Sequence, residues 1–494
     1  MMVMGTLAPG NSPGRLFVAG SVTQMAGSTF ALDIDGTTLG VGAGHFDTLV
    51  LTGASSVYTA GGTIAPRVRG ITGSATNTFT PTIGQTFEVV TAQGSVTGAY
   101  SAITQPTDGM PANSRFDVIY GANTVTLAVT AASYKTLLTG AATANTVNAG
   151  AAIDAVRPAA TVRDGGNAGR LSRGLVGLGT AQIATVVEQA AGEIHADGID
   201  TVLQSNRVAR AAISDHLGEA ASASRLWGIG IGEFGHVDGD ANGRRYKTDV
   251  TGLVAGYDRG LGDTVTLGVA ASYGRAKASN VVSGSSRTSS YRGAVYGRWQ
   301  QDGSFVNGIV SAGTDRYHVR RTINLATGAQ SQASDPNGWS WSADAEAGHR
   351  FEARNLAITP TVGMAYDRIE RDALTETGDA ATALSFGDAH RQALLAKAGL
   401  NVAVSVPVGG ITLSPYGTAS IWHELSDRNA SLLATLDGAA VRTNAASLGR
   451  TAGRVGAGVN AQLSQTTALR VGYRTTILGN AIVNAVNGGL TFRW

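Results

Sequence analysis

The sequence predicts an all-β protein whose C-terminal half is a twelve-stranded antiparallel transmembrane β-barrel. Three observations carry this expectation. From Trp227 onward, side chains alternate apolar and polar with period two, so each strand presents one face to lipid and one to a lumen. The alternating segments run 11 residues or more, longer than globular strands and sufficient to cross a bilayer at a tilt. Full charges recur on the polar face, at Arg292, Arg298, Asp344, Glu346, Arg350, Lys397, Arg454 and Arg470. A packed core would not tolerate them, whereas a hydrated lumen solvates them.

Composition agrees. The 494 residues include 67 glycines, roughly twice the usual share, and only 15% charged residues. A net charge of +2 argues against a nucleic-acid partner, and the absence of cysteine excludes disulfides and thiolate metal sites. No window holds the roughly 18 uninterrupted apolar residues of a membrane-spanning helix; the richest, 394–408, is broken by Lys397, Asn401 and Ser405. The first ten residues have no charged and apolar leader, so the chain reads as the C-terminal part of a longer precursor.

In chain order, residues 5–134 consist of short β-branched runs separated by Gly, Asn, Asp and Ser, the pattern of a β-solenoid or another all-β stack. Residues 135–197, rich in Ala, Thr, Gly and Asn, read as a linker. Residues 198–223 lack β alternation and read as a helix. Its apolar stripe, Ile199, Leu203, Ile213 and Leu217, is thin, and Arg207, Arg210, Asp215 and Glu219 surround it. Such a helix suits a wet pore better than a core.

Residues 224–494 form the barrel. Val265, Leu267, Val269, Ala271 and Tyr273 share the lipid face of one strand, and Trp339, Trp341, Ala343, Ala345, Ala347 and Phe351 that of another. Tyr257, Tyr273, Tyr291, Trp299, Trp339, Tyr366 and Trp422, near strand ends, are expected in the aromatic girdles. About thirteen candidate strands can be counted, the weakest being 429–436. Single-chain bacterial barrels have even counts, so twelve is the expected number, with lumen room for about one helix. The last strand places Val486, Gly488, Leu490, Phe492 and Trp494 toward lipid and closes on the strand beginning near Trp227.

Several short stretches, in order, resemble one family. Gly5-Thr-Leu-Ala-Pro-Gly-Asn-Ser-Pro-Gly-Arg-Leu16, Phe46-Asp-Thr-Leu-Val-Leu-Thr-Gly-Ala54, Gly192-Glu-Ile-His-Ala196, Gly256-Tyr-Asp-Arg-Gly-Leu261 and the terminal Phe492-Arg-Trp494 are similar to segments of autotransporters, the type V secretion proteins with pertactin-like passengers. The resemblance implies a right-handed parallel β-helix stem with an autochaperone-like segment at 1–134, a pore-spanning helix at 198–223 and a translocator barrel at 224–494. It also implies an outer-membrane location with the passenger at the cell surface, as a monomeric barrel. The implied partners are outer-membrane lipid, the barrel assembly machinery, periplasmic chaperones and the chain's own passenger. The alternatives are a surface adhesin whose barrel is only an anchor, and a solute porin, which would have neither helix plug nor stem. Some family members cut themselves between paired asparagines in the pore helix. Here the region reads Gln204-Ser205-Asn206-Arg207, which puts that cleavage in doubt.

No residue is put forward as catalytic, cofactor-binding or metal-binding, and no enzyme activity or cofactor is expected. Gly230-Ile-Gly-Glu-Phe-Gly235 fits a dinucleotide fingerprint but lies within an alternating strand. Gly10-Asn-Ser-Pro-Gly14 fits a nucleophile elbow, but Pro13 removes the N–H that an oxyanion hole would use. The eight histidines are scattered, and His195 reads as a local structural residue.

Overall fold

The computed structural model describes residues 1–218, 224–426 and 429–494. Twelve strands form the barrel: β1 (Arg225–Val237), β2 (Tyr246–Leu261), β3 (Val265–Asn280), β4 (Gly284–Gln301), β5 (Ser304–Leu325), β6 (Asn337–His349), β7 (Leu356–Arg371), β8 (Ala389–Val404), β9 (Ile411–Glu424), β10 (Thr451–Gln462), β11 (Thr467–Leu478) and β12 (Ala481–Arg493). Each pairs antiparallel with the next. β12 returns to β1 with Leu226 opposite Phe492 and Val237 opposite Ala481. Closure satisfies both edges, as hydrocarbon demands. The weakest candidate strand is real but outside the barrel: Ser431–Leu436 pairs with Ala439–Asn444 in a small loop sheet.

Alternation sets the faces. Along β3, Leu267, Val269 and Tyr273 are exposed while Thr266, Ala270 and Ala276 are buried. Tyr257 stacks on Trp494 at one rim, and Tyr273 meets Tyr291 toward the other. Trp422 departs from the expected girdle. Its neighbour Ile421 is the exposed one, and the Arg454 guanidinium lies 3.7 Å from the centroid of the Trp422 ring, inside the lumen. Position along a strand fixes the height of a side chain, but parity fixes its face.

The two ends of the barrel differ. One has tight connections such as 262–264 and 302–303, and the other carries 372–388 and 425–450. Short turns are periplasmic and long loops external in this class of barrel. Arg225 and Arg493, paired partners, therefore lie at the inner end.

Upstream, strands fall on three parallel ladders. The first joins Met2–Val3, Val22–Gln24, Val57–Ala60 and Ser95–Gly98; the second Thr6–Leu7, Thr29–Asp33, Thr63–Arg67 and Ala102–Ile103; the third Arg15–Ala19, Thr48–Thr52 and Thr86–Ala92. The chain visits the ladders in the same order on each circuit. Phe30, Leu49, Leu51, Tyr58, Ile64 and Phe87 fill the interior. An antiparallel pair, Ser114–Tyr120 and Thr124–Ala131, ends the third ladder. The Gly10–Gly14 stretch is a turn: the Gly14 N–H donates to Asp47 Oδ1 at 2.6 Å, and a Cβ on Gly14 would lie 2.8 Å from Gly10 Cα.

The stretch read as a linker carries four helices, α1 (Tyr134–Leu138), α2 (Ala144–Val156), α3 (Gly166–Gly174) and α4 (Thr180–Ala190). Ser133 and Thr143 cap α1 and α2. Ile153, Leu171, Ile183 and Val187 share one core with Leu384, Leu432, Leu436 and Val441 of the outer loops. The helices thus close over the external mouth. α5 (Ile194–Leu217) enters the barrel. It begins four residues earlier than the expected 198, because Gly192, at φ 69°, turns the chain out of α4. The rest of the expected helix, 219–223, lies outside the described residues.

Candidate functional site: the plugged lumen

α5 runs down the lumen from the external loops to the inner rim, and nearly all of its side chains are buried. The interior walls meet it with complementary charge at three levels.

At the outer level, His195 Nε2 lies 2.9 Å from Glu376 Oε1. Glu376 also accepts hydrogen bonds from Arg321 Nε at 2.7 Å and Nη2 at 2.5 Å, and the Phe386 ring packs 4.4 Å from the imidazole. Burial alone would raise the Glu376 carboxyl in its loop. The Arg321 charge, with hydrogen bonds from Arg321 and His195, instead holds it down at about 2. His195 therefore docks the start of the helix onto the loop 372–388.

At the middle level, Asp200 accepts from Arg391 Nε at 3.2 Å, and Arg391 reaches Glu424 at 2.7 Å. Arg207 also donates to Glu424, at 3.0 Å. Arg210 forks onto Asp367 at 2.6 and 3.1 Å and lies 3.3 Å from Asp344. Lys397 bonds both oxygens of Asp344 at 2.9 and 3.0 Å.

At the inner level, His216 stacks on Trp227 with centroids 4.4 Å apart and lies 2.6 Å from Asp258. Asp258 also accepts from Arg225 Nε at 2.6 Å and the Tyr296 hydroxyl at 3.0 Å. Arg298 donates to the Leu217 carbonyl at 3.0 Å, a cation at the helix C-terminus where the macrodipole favours it. Arg470 and Arg474 bracket Asp215 at 3.6 and 3.5 Å.

The inward charges read from the sequence do face inward, but several are not left to water. Asp344, Lys397, Arg298 and Arg470 are tied to α5 or to each other, and Arg292 pairs with Asp315 at 2.8 Å. The remaining free space beside the inner half of α5 is a cavity of about 270 Å³, lined by Arg207, Ser214, Glu346 and Arg454 among others. Sequence reading missed Arg321, Asp367, Glu376, Arg391 and Glu424. The signal that could have found Asp367 and Arg391 is parity, since Arg391 shares the inward face of β8 with Lys397 and Asp367 that of β7 with Ala365, but parity does not say which α5 residue each would meet.

Buried ion pairs contribute little net stability, because desolvation offsets their attraction, yet breaking one costs about 3–5 kcal/mol. Opposed pairs on β2, β7, β8 and β9 therefore set the depth and rotation of α5 more than they strengthen the barrel. The site is a fitted plug. Among the described residues no cluster of three or more His, Asp or Glu could hold a metal ion.

The translocator domain of autotransporter NalP from Neisseria meningitidis has the same fold, with a TM-score of 0.51 and 19% identity over 61% of this chain and 99% of that one. An extracellular serine protease of Serratia marcescens is 22% identical over 329 residues, 63% of this chain and 31% of the relative. The autotransporter adhesin/invasin TibA of Escherichia coli O78:H11 is 25% identical over 237 residues, 47% of this chain and 22% of the relative. The chain thus spans less than a third of the length of the last two relatives, one of which is named a protease and the other an adhesin/invasin. The family model for the autotransporter beta-domain matches residues 226–474, half of the chain; with a closed twelve-strand barrel of bacterial outer-membrane type around a helix, the chain belongs to the autotransporter family.

Proposed function

We propose that this chain is an outer-membrane translocator that carries its own N-terminal passenger to the cell surface. One observation carries the reading: α5 threads the lumen, joining the helices and ladders at the external mouth to the inner-rim start of β1. A solute porin has no reason to fill its bore with a helix ion-paired along its length.

On this reading residues 1–134 are the end of a β-helical passenger stem with an autochaperone-like role. The ladder order supports a parallel coil, and its right-handed sense comes from the resemblance. Residues 224–494 are the translocator, assembled as a monomer by the barrel assembly machinery with periplasmic chaperones. The chain itself performs no catalysis. A second reading, a surface adhesin with the barrel as anchor, is favoured by the relative named adhesin/invasin and by the core that fixes the external helices to the loops. The test is protease accessibility of an epitope within 1–134. Translocation requires cleavage on intact cells, abolished when β12 is removed. Protection until the cells are lysed would refute it.

A further inference from the structure

Arg371, the last residue of β7, is a buried cation that the outer level does not balance. It is 2% exposed, and its Nε and Nη2 have no hydrogen-bond partner among the described residues. Its Nη1 lies 3.5 Å from His195 Nδ1. The carboxylate whose charge acts on it is Glu376, and both oxygens of Glu376 are taken by other groups. Oε1 accepts from Arg321 Nε and His195 Nε2, and Oε2 accepts from Arg321 Nη2 and the Leu384 N–H. One carboxylate therefore stands against two guanidinium groups. The imidazole supplies no charge of its own: donating Nε2–H to Glu376 leaves Nδ1 bare, an acceptor for Arg371.

A second unpartnered donor lies beside the first. Tyr317 on β5 is 3% exposed, and its hydroxyl has no hydrogen-bond partner among the described residues. Between β5 and β7 runs β6, whose Gly338 stands opposite Asp315 on one side and Arg371 on the other. A Cβ on Gly338 would lie 3.1 Å from Tyr317 Cε2 and 3.2 Å from Arg371 Cα, so the glycine lets the Tyr317 ring lie across β6 toward Arg371. The Phe386 ring closes another side, its centroid 5.1 Å from the Arg371 guanidinium carbon. Beyond Tyr317, Asp315 already faces Arg292 at 2.8 Å, although its Oδ2 has no hydrogen-bond partner among the described residues.

A buried carboxyl or imidazole escapes such a position by changing its protonation. Arginine does not lose its proton in proteins, and an unpaired charge in a desolvated site is strongly disfavoured. The missing counter-charge therefore has to come from an ion. An excess of one positive charge calls for a monovalent one, and side chains only 2–3% exposed favour a small one.

We infer that Arg371 Nε and Nη2 and the Tyr317 hydroxyl hold a halide, chloride in ordinary salt. The ion completes the charge of the outer level next to His195, so that docking of the start of α5 depends on the anion present.

The test uses the full chain folded in zwitterionic detergent at neutral pH. Hydrogen exchange at the amides of 195–202 should be at least threefold slower in sodium chloride than in sodium isethionate of equal ionic strength, which holds general screening constant while offering an anion too bulky for the site. Crystals soaked in sodium bromide should show an anomalous peak at hydrogen-bond distance from Arg371 and the Tyr317 hydroxyl. Arg371→Gln should exchange alike in the two salts, and Arg368→Gln, on the outward face of the same strand, should keep the wild-type difference. Heat-modifiable migration checks that each variant is folded. Should Arg371→Gln not fold, Tyr317→Phe, which removes one donor and no charge, takes its place and should lower the salt difference at least twofold. Equal exchange of the wild type in the two salts would overturn the inference and leave Tyr317 as a bridge from Arg371 to Asp315. A salt difference that survives Arg371→Gln, or a bromide peak with no effect on exchange, which is binding at crystal concentration only, would overturn it as well.

Discussion

The pairing of Arg210 with Asp367 gives the sharpest test of the plug. Both side chains are buried, and the fork is closed at 2.6 and 3.1 Å. Asp367→Asn leaves Arg210 in place without its main counter-charge. A buried pair broken on one side costs about 3–5 kcal/mol. Asp344 stays 3.3 Å from Arg210, so about 2–3 kcal/mol is the better figure for this site. If that loss falls on the docked state of α5, the undocked population rises roughly 30- to 150-fold, at 1.4 kcal/mol per factor of ten. An α-helix with side chains is about 10–12 Å across, so each undocking event should appear in a planar bilayer as a large step above a small leak. The charge-free double variant Arg210→Met/Asp367→Leu should return the event frequency toward wild type, since apolar replacement of a buried pair is close to neutral. Equal frequencies in wild type and Asp367→Asn, or a double variant as leaky as the single one, would mean that the ion pairs do not hold α5.

Other outcomes follow from the same geometry. A chain beginning at residue 224, which lacks α5, should conduct as a permanently open pore on the order of 10 Å wide; a conductance equal to that of the intact chain would contradict the plug. Glu376 is held at about 2, below its ordinary 4.5, so its contribution to docking the outer end of α5 is complete above about pH 4.5 and is lost as pH falls toward 2. Hydrogen exchange at the N-terminus of α5 should rise over that window, and Glu376→Gln should flatten the profile. In single-tryptophan variants, brominated lipid should quench Trp299 and Trp339 but not Trp227 or Trp422, whose rings face the lumen. Removing residues 490–494 deletes the β12 partners of Arg225, Leu226, Trp227 and Gly228 on β1 and leaves polar edge groups in hydrocarbon at several kcal/mol each. That chain should give no heat-modifiable band in outer-membrane fractions, whereas Arg493→Ala, on the wet face, should.

What the sequence made legible was whatever depends on parity. Leu490, Phe492 and Trp494 face outward and β12 meets β1 because a two-residue repeat leaves one face for lipid, and the closing partner follows from having no free edge. Trp422 was misplaced because nearness to a strand end was weighed above the parity it shares with Ser420 and Thr418. The helices over the mouth were hidden for a different reason. α2 reads Ala-Asn-Thr-Val-Asn-Ala-Gly-Ala-Ala-Ile-Asp-Ala-Val, small side chains with no stripe, so periodicity had nothing to grip, although Ser133 and Thr143 were readable as caps. The ion pairs of α5 could not be read at all. Which of Asp344, Asp367 and Glu424 meets Arg207 or Arg210 depends on the barrel's stagger and the rotation of the helix, and neither is written in local spacing.

The external helices bear on how such a passage could be driven without nucleotide hydrolysis. Leu138, Ile153, Leu171, Leu175, Ile183, Val186 and Val187 are all buried in the core shared with the outer loops. Fully burying such side chains gains about 1.5–3 kcal/mol each, so the seven together supply on the order of 10–20 kcal/mol before the entropy of ordering α1–α4 is set against it. That gain is not available in full while the segment is unfolded in the periplasm, because the outer loops and outer strand ends that complete the core lie on the far side. If the upstream chain passes through this barrel, the mouth itself rectifies the motion: each helix that docks outside makes return more costly, and α5, last to enter, locks the lumen behind it through charges that only its final depth can pair. Replacing Ile153 and Val187 with Asp should then leave barrel insertion intact while lowering the surface yield of the 1–134 epitope. An unchanged yield would assign the drive elsewhere.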